Sequence, residues 1–209
     1  MISLFIDTAD RDVIVAILNN STILGLKKEL NQNDLSIKLL PMIDELFKEV
    51  HLDIKQVEKV FAVNGPGSFT GIRIGLTAAK VIAWSLNCPI VLLSELEVLS
   101  STQTDKKYII PVIDARRGYV YGAIYTNRLR IEQKDEYIEY VKLMDNAKDY
   151  DAAIISHYDY DGAIKPNVDI SKIISKHLKD KGINPHAANP NYLKRTEAEE
   201  NLEKNDWRS

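Results

Sequence analysis

Two runs in this 209-residue sequence hold groups that can do chemistry: the carboxylate and hydroxyl of Asp7-Thr8, and the carboxylate and guanidinium groups of Asp114-Ala115-Arg116-Arg117. Each follows an apolar stretch that reads as a strand, so these polar groups stand where the strand gives way to a turn and can face a ligand. The plainer reading is an aspartate that satisfies the N–H groups of its own turn. Arg116 and Arg117 either clamp an anion or stand solvated in a hairpin turn. A third candidate is the turn Gly65-Pro66-Gly67-Ser68, because a glycine-rich loop that opens a helix aims free N–H groups at an anion. Its spacing misses the usual phosphate cradles. Thr70 stands where the dinucleotide pattern needs glycine, and no Gly-Lys-Ser/Thr follows. Ser68 lacks the flanking glycines of a hydrolase nucleophile elbow. His51, His157, His177 and His186 are scattered without the spacing of helical metal ligands, and His157 with Asp159 and Asp161 reads as an exposed turn. No metal is expected. Cys88 lies in an apolar segment and reads as buried filler in a reducing compartment.

The elements that must position these groups follow from apolar periodicity. Ile2 to Ile6, Val13 to Leu18 and Thr22 to Leu30 predict a three-strand meander. Asp34 and Ser36 supply helix-start chemistry for a helix from about Leu35 to Val50, in which Pro41 weakens or bends the ladder. Val57 to Val63 predicts a strand, the glycine-rich turn opens a helix to about Leu86, and Ile90 to Leu93 predicts another strand. Ser94 with Glu97 has the spacing of a capping box for a helix through about Thr102. This order makes an α/β lobe with parallel strands joined by helical crossovers. After the polar segment Ser101 to Lys107 a second start follows: strands at Tyr108 to Ile113, Tyr119 to Tyr125 and Ile131 to Tyr140, a helix at Val141 to Lys148, a strand at Ala152 to Ile155 and a helix at Ile170 to Lys181. The expected division is an N-terminal lobe at 1–103, a smaller C-terminal lobe at 104–195 of like design, and a charged, frayed tail at 196–209 in which Trp207 is either a partner anchor or a mobile end.

Small residues recur every fourth position at Gly71, Gly75 and Ala79, which places them on one helix face. Two glycines inside a helix cost roughly 1 kcal/mol each relative to alanine, so a packing or functional gain must offset them. The first helix has an apolar arc of roughly 160°, where about 100° covers one core. It is either sunk in its own lobe or shared with a partner. On the second reading Leu39, Leu40, Ile43 and Phe47, together with Gly71, Ile72, Gly75 and Ala79, form a seam for another subunit, and Gly75→Leu spares the fold while blocking assembly.

Hydrophobic residues make up 45% and charged residues 27%, an ordinary globular balance, and the net charge of -3 excludes a broad nucleic-acid footprint. Any RNA contact must be local or made by a partner. No secretory core follows the N-terminal residues and no apolar run is long enough to span a bilayer, so a cytoplasmic protein is expected.

The runs LFIDTAD, GPGSFTGIRIG, DARRGYVY and PNYLKR resemble the TsaB (YeaZ-type) family of bacterial tRNA threonylcarbamoyladenosine machinery, over nearly the whole chain to about Arg195. The resemblance implies two duplicated α/β lobes of the actin, hsp70 and sugar-kinase (ASKHA) type. It also implies a noncatalytic scaffold that pairs through its N-lobe helices with the catalytic TsaD subunit, works with the TsaE ATPase, dimerises when alone and meets tRNA through the complex. In this fold Asp7, Thr8, Asp114 and Arg116 stand where phosphates are usually gripped, so weak nucleotide binding, or ATP or ADP at a complex interface, is the expectation in place of a resident cofactor. The chain departs from the family at Ser156 to Gly162, SHYDYDG, where relatives often have a Gly-Asp-Gly turn, and at Leu35, where many show His-Ser-Glu. The competing reading is an ATP-hydrolysing or phosphotransfer enzyme that holds a magnesium-nucleotide between Asp7 and Asp114. A peptidase is a distant third, since no nucleophile constellation is present.

Overall fold

The computed structural model describes residues 1–31 and 34–194. Its first sheet begins with β1 (Ile2–Asp7), β2 (Asp12–Asn19) and β3 (Thr22–Leu30), each antiparallel to the one before. The helix α1 (Leu35–Glu49) carries the chain back so that β4 (Val57–Val63) lies parallel to β1, and α2 (Phe69–Ser85) makes the same crossover for β5 (Ile90–Leu93). The resulting order is β3-β2-β1-β4-β5. Strands β1, β2 and β4 are covered on both faces, and their sequences are accordingly near-continuous apolar runs. Edge strand β3 carries Lys27 and Lys28, charges that discourage pairing with another chain.

The short α3 (Glu95–Leu99) leads to the second sheet, built from β6 (Tyr108–Asp114), β7 (Tyr119–Thr126), β8 (Ile131–Glu139) and, after α4 (Tyr140–Ala147), β9 (Ala152–Ile155). Its order is β8-β7-β6-β9, with β6 and β9 parallel and the other pairs antiparallel. Strands β6 to β9 thus repeat β1 to β4, and α4 occupies the place of α1. The protein has the two α/β lobes of like design that its residue pattern and family resemblance imply. The second lobe stops one strand short. Its last helix, α5 (Ile170–His177), sends Ile170, Ile173 and Ile174 into the first lobe's core beside Phe5, Ile14 and Val91.

The chain beyond α5 also returns to the first lobe. Asn191 N–H donates to the Asn64 carbonyl at 2.7 Å, the Asn64 amide donates to the Asn189 carbonyl at 3.0 Å, and Lys80 Nζ donates to the Ala188 carbonyl at 2.8 Å. Part of the 104–195 segment therefore packs on the N-terminal lobe, since burial follows apolar faces and not chain order. The expected tail and Trp207 lie outside the described residues.

Local expectations fail where a side chain has a better tertiary partner. Asp34 does not cap α1, because its carboxylate pairs with Lys38 at 2.7 Å. Ser94 Oγ accepts the Leu96 N–H at 3.1 Å, yet Glu97 turns away from the capping box to Lys176 and His177, and α3 ends at Leu99 instead of Thr102. The helix expected to Lys181 ends at His177, where a 2.7 Å bond between His177 Nδ1 and Asp180 and capture of the Leu178 and Asp180 carbonyls by Lys59 fold the chain over. Pro41 stays inside α1, on its exposed side. Among the described residues no helix is long and apolar enough to cross a membrane.

Candidate functional site

The spacing of Gly71 and Gly75 has an internal cause. Both are buried where α2 crosses the end of β1, and Thr8 plugs the notch they make. A Cβ on Gly71 would lie 2.1 Å from the Thr8 carbonyl oxygen, and one on Gly75 would lie 2.1 Å from Thr8 Oγ1. Thr8 Oγ1 donates to the Gly71 carbonyl at 2.7 Å. The turn is drawn in from the other side as well, for Ser68 N–H donates to the Ala9 carbonyl at 2.6 Å and Ser68 Oγ caps α2 by accepting the Gly71 N–H at 3.2 Å. The seam expected to receive a partner is thus filled by the chain itself. Gly71, Ile72, Gly75 and Ala79 are buried, as are Leu39, Ile43 and Phe47 of α1, so none of them offers surface to another subunit. Of that set only Leu40 is exposed.

Asp7 is sealed in the same corner. Its carboxylate accepts the Ala9 N–H at 2.9 Å and lies beside the carboxyl of Glu95, which is equally buried at the start of α3. Burial raises the Asp7 pKa to about 7, and burial together with the neighbouring Asp7 and Asp10 charges lifts Glu95 well above the ordinary carboxylate range. Two carboxyl groups buried side by side disfavour double ionisation. Asp7 thus satisfies an N–H of its own turn, the plainer of the two readings, and the alternative in which Asp7 and Thr8 face a nucleotide does not hold because both face the core.

The open site lies between the lobes, a cleft of about 610 Å³ lined by Asp10, Arg11, Asn31, the Gly67-Ser68-Phe69 turn, Ile113, Asp114, Arg116, Tyr121 and Tyr158. Asp114 and Arg116 are here as expected. Asp114 Oδ1 accepts the Arg116 N–H at 3.3 Å and the Tyr160 hydroxyl at 3.3 Å. Arg116, Arg117 and Gly118 all have positive φ, at 67°, 56° and 79°, which turns the β6–β7 hairpin tightly at the rim. Asp10 is largely buried in the wall, and burial raises its pKa to about 6. The Arg11 guanidinium lies 4.5 Å from the centre of the Tyr158 ring. Arg11, Tyr121 and Tyr158 escaped the sequence reading; the alternation that puts Tyr121 on the inner face of β7 was a usable signal for one of them. His157, expected in an exposed turn, is half-buried with Nε2 3.4 Å from Asp12, and burial lowers its pKa. Among the described residues no group of three or more His, Cys, Asp or Glu is arranged to hold a metal ion.

A second surface is apolar. On the outward sides of the neighbouring helices α1 and α2, Ile37 is 75%, Leu40 57%, Val81 58% and Trp84 64% exposed. The pairs 37/40 and 81/84 each stand three residues apart, off the buried phase of their helices, which is the signal that would have found them.

The family model described as TsaD: tRNA N6-adenosine threonylcarbamoyltransferase matches residues 17–172. The tRNA threonylcarbamoyladenosine biosynthesis protein TsaB of Bacillus subtilis (strain 168) is 35% identical over 126 residues, 60% of this chain and 55% of that protein, so the likeness spans little more than half of the relative's length. The protein of the same name from Buchnera aphidicola subsp. Schizaphis graminum (strain Sg) is 30% identical over 154 residues, covering 70% of this chain and 73% of that one. The structure described as YeaZ from Pseudomonas aeruginosa superposes with a TM-score of 0.77 at 22% identity, over 92% of this chain and 99% of that one, which shows a shared fold. A match through most of both lobes, in a chain whose glycine-rich corner and strand-end aspartates are built as described, settles the lineage: this chain belongs to the TsaB (YeaZ-type) family of tRNA threonylcarbamoyladenosine biosynthesis proteins.

Proposed function

We propose that this chain is a noncatalytic scaffold subunit that seats a TsaD-like catalytic subunit, with a TsaE-like ATPase, for N6-threonylcarbamoylation of the adenosine next to the anticodon of tRNA in the cytoplasm. The observation that carries the proposal is the exposed apolar surface of α1 and α2, with Ile37, Leu40, Val81 and Trp84 on neighbouring helices. Such surface is unfavourable in water by about 25 cal/mol per Å², and a second subunit removes it. A second copy of the chain covers the same face when the catalytic subunit is absent. The seat is thus on the outer helix faces and not at the glycine notch. The noncatalytic reading draws support from the first lobe's strand end, where Asp7 is closed off by Glu95 and Thr8 by α2.

Trp84→Glu combined with Leu40→Glu tests the seat. Both positions are exposed, so Tm should stay close to the parent's, since surface changes usually fall within about 0.5 kcal/mol. Co-elution with the catalytic subunit should weaken by roughly tenfold or more, as expected for charging the centre of an interface, and light scattering should report a monomer. A doubly charged variant that co-elutes like the parent sinks this seat. ATP turnover by the isolated chain that disappears in Asp114→Ala sinks the noncatalytic part.

A further inference from the structure

The rim of the interlobe cleft holds arginines that make no salt bridge among the described residues, beside a half-buried ladder of tyrosine rings. Among the described residues Arg11, Arg116 and Arg117 form no salt bridge. Of the carboxylates close by, Asp12 is bound by Lys28 at 2.6 Å, Asp114 caps its own turn and accepts from Tyr160, and Glu139 accepts the Tyr119 hydroxyl at 3.0 Å; Asp10, next to Arg11, is buried and accepts from the Tyr158 hydroxyl at 3.4 Å. In a chain of net charge -3, guanidinium groups left unpaired at one rim mark a place for an anion.

The rings give that anion a shape. Tyr121 lines the cleft and is the cross-strand partner of Tyr137; Tyr119 stacks on Tyr137 with centroids 4.8 Å apart and planes 12° from parallel. Lys194 Nζ stands 5.2 Å from the centre of the Tyr137 ring. Farther along β7, Ala123 and Tyr125 are buried with Leu96 and Leu99 of α3, and Tyr121 packs against the edge of that cluster while still lining the cleft. A mononucleotide engages one ring and an acidic peptide has no use for stacked rings. A polymer that alternates phosphates with flat bases matches both features, because bases stack on aromatic faces without sequence preference while guanidinium groups follow the backbone.

We propose that this rim binds single-stranded RNA, with Arg11, Arg116 and Arg117 on phosphates and Tyr121, Tyr137 and Tyr119 as a base-stacking platform. The inference rests on the reading above, because it gives a scaffold in a tRNA-modifying assembly its own hold on the substrate's unpaired loop.

The test is fluorescence anisotropy of the full chain with a labelled single-stranded RNA about 12 nucleotides long, a length within the usual range of single-strand sites. Three phosphate contacts predict a slope of log K against log salt near about -2. Arg116→Gln with Arg117→Gln should weaken binding roughly tenfold and flatten the slope by about 1.4. Tyr121→Ala should weaken binding by about tenfold with the slope unchanged, and Tyr121→Phe should restore it, which a merely structural role of the hydroxyl would not allow. Circular dichroism melts confirm that the variants are folded. No binding by the folded chain at low salt overturns the inference, as does equal binding of the duplex form or ATP binding that RNA does not displace. Co-elution of the unmodified chain with the catalytic subunit is measured in parallel. RNA binding lost while co-elution persists removes this inference alone, and co-elution lost while RNA binding persists removes the scaffold reading alone.

Discussion

Asp7 and Asp114 end equivalent strands of the two lobes, and their fates are opposite. Asp7 is buried beside Glu95 and covered by α2; Asp114 is half-exposed on the cleft wall and holds a hairpin turn. The cause is the helix that follows the parallel strand. In the first lobe α2 crosses directly over the strand end, because glycine at 71 and 75 lets its backbone approach Thr8. In the second lobe the corresponding helix, α5, leaves to fill the first lobe's core, and among the described residues no helix closes over Asp114, which stays half-exposed. A duplicated topology therefore does not duplicate a site; the helix that covers or abandons the corner decides which carboxylate stays accessible.

The comparison breaks most severely at the notch. Gly71→Ala forces a Cβ against the Thr8 backbone and should destabilise by about 3 kcal/mol or more in urea titration, and Gly75→Leu should prevent folding outright instead of sparing the fold and blocking assembly. Because the Gly75 obstruction is a side chain, Thr8→Ala should recover about half of the loss in Gly75→Ala, whereas it should recover none in Gly71→Ala. Equal rescue of both would contradict the packing described here.

A smaller effect distinguishes the aspartates by pH. Asp7 has its pKa raised by burial from 3.8 to about 7, so the folded state binds more protons than the unfolded one between these values. The associated stability is full below about pH 4 and is lost as pH climbs toward 7. Asp7→Asn should remove that loss, leaving the variant's stability relative to the parent higher at pH 8 than at pH 5 by on the order of 2 kcal/mol. A parallel pair of pH profiles would show that Asp7 does not titrate in this range. At the other strand end Asp114→Ala loses only hydrogen bonds at a half-exposed turn, and its stability in a thermal melt should fall by no more than about 1 kcal/mol.

Much of the architecture was legible in the residues. Strands and helices announced themselves through apolar runs and turn chemistry, and β6 to β9 repeat β1 to β4 as the recurring strand-then-aspartate pattern implied. The interior seam was misread for a physical reason. A small-residue face says that another backbone comes close, but a periodicity of four is the same whether that backbone belongs to a partner or to residue 8 of the same chain. Glu97 was misassigned on similar grounds, since capping geometry is local and the Lys176 and His177 that claim it lie far along the sequence.

Sequence alone determined the α/β design and the glycines at the corner, because these depend on short-range periodicity and on residue types that only some backbones tolerate, and its motif runs carried the resemblance to the family. Tertiary structure decided which faces remain open: the cleft rim with its arginines and half-buried tyrosines, and the outer sides of α1 and α2. Exposure is a property of what packs against a residue, and that is settled by contacts across the whole fold, such as α5 in the first lobe's core and Thr8 in the notch.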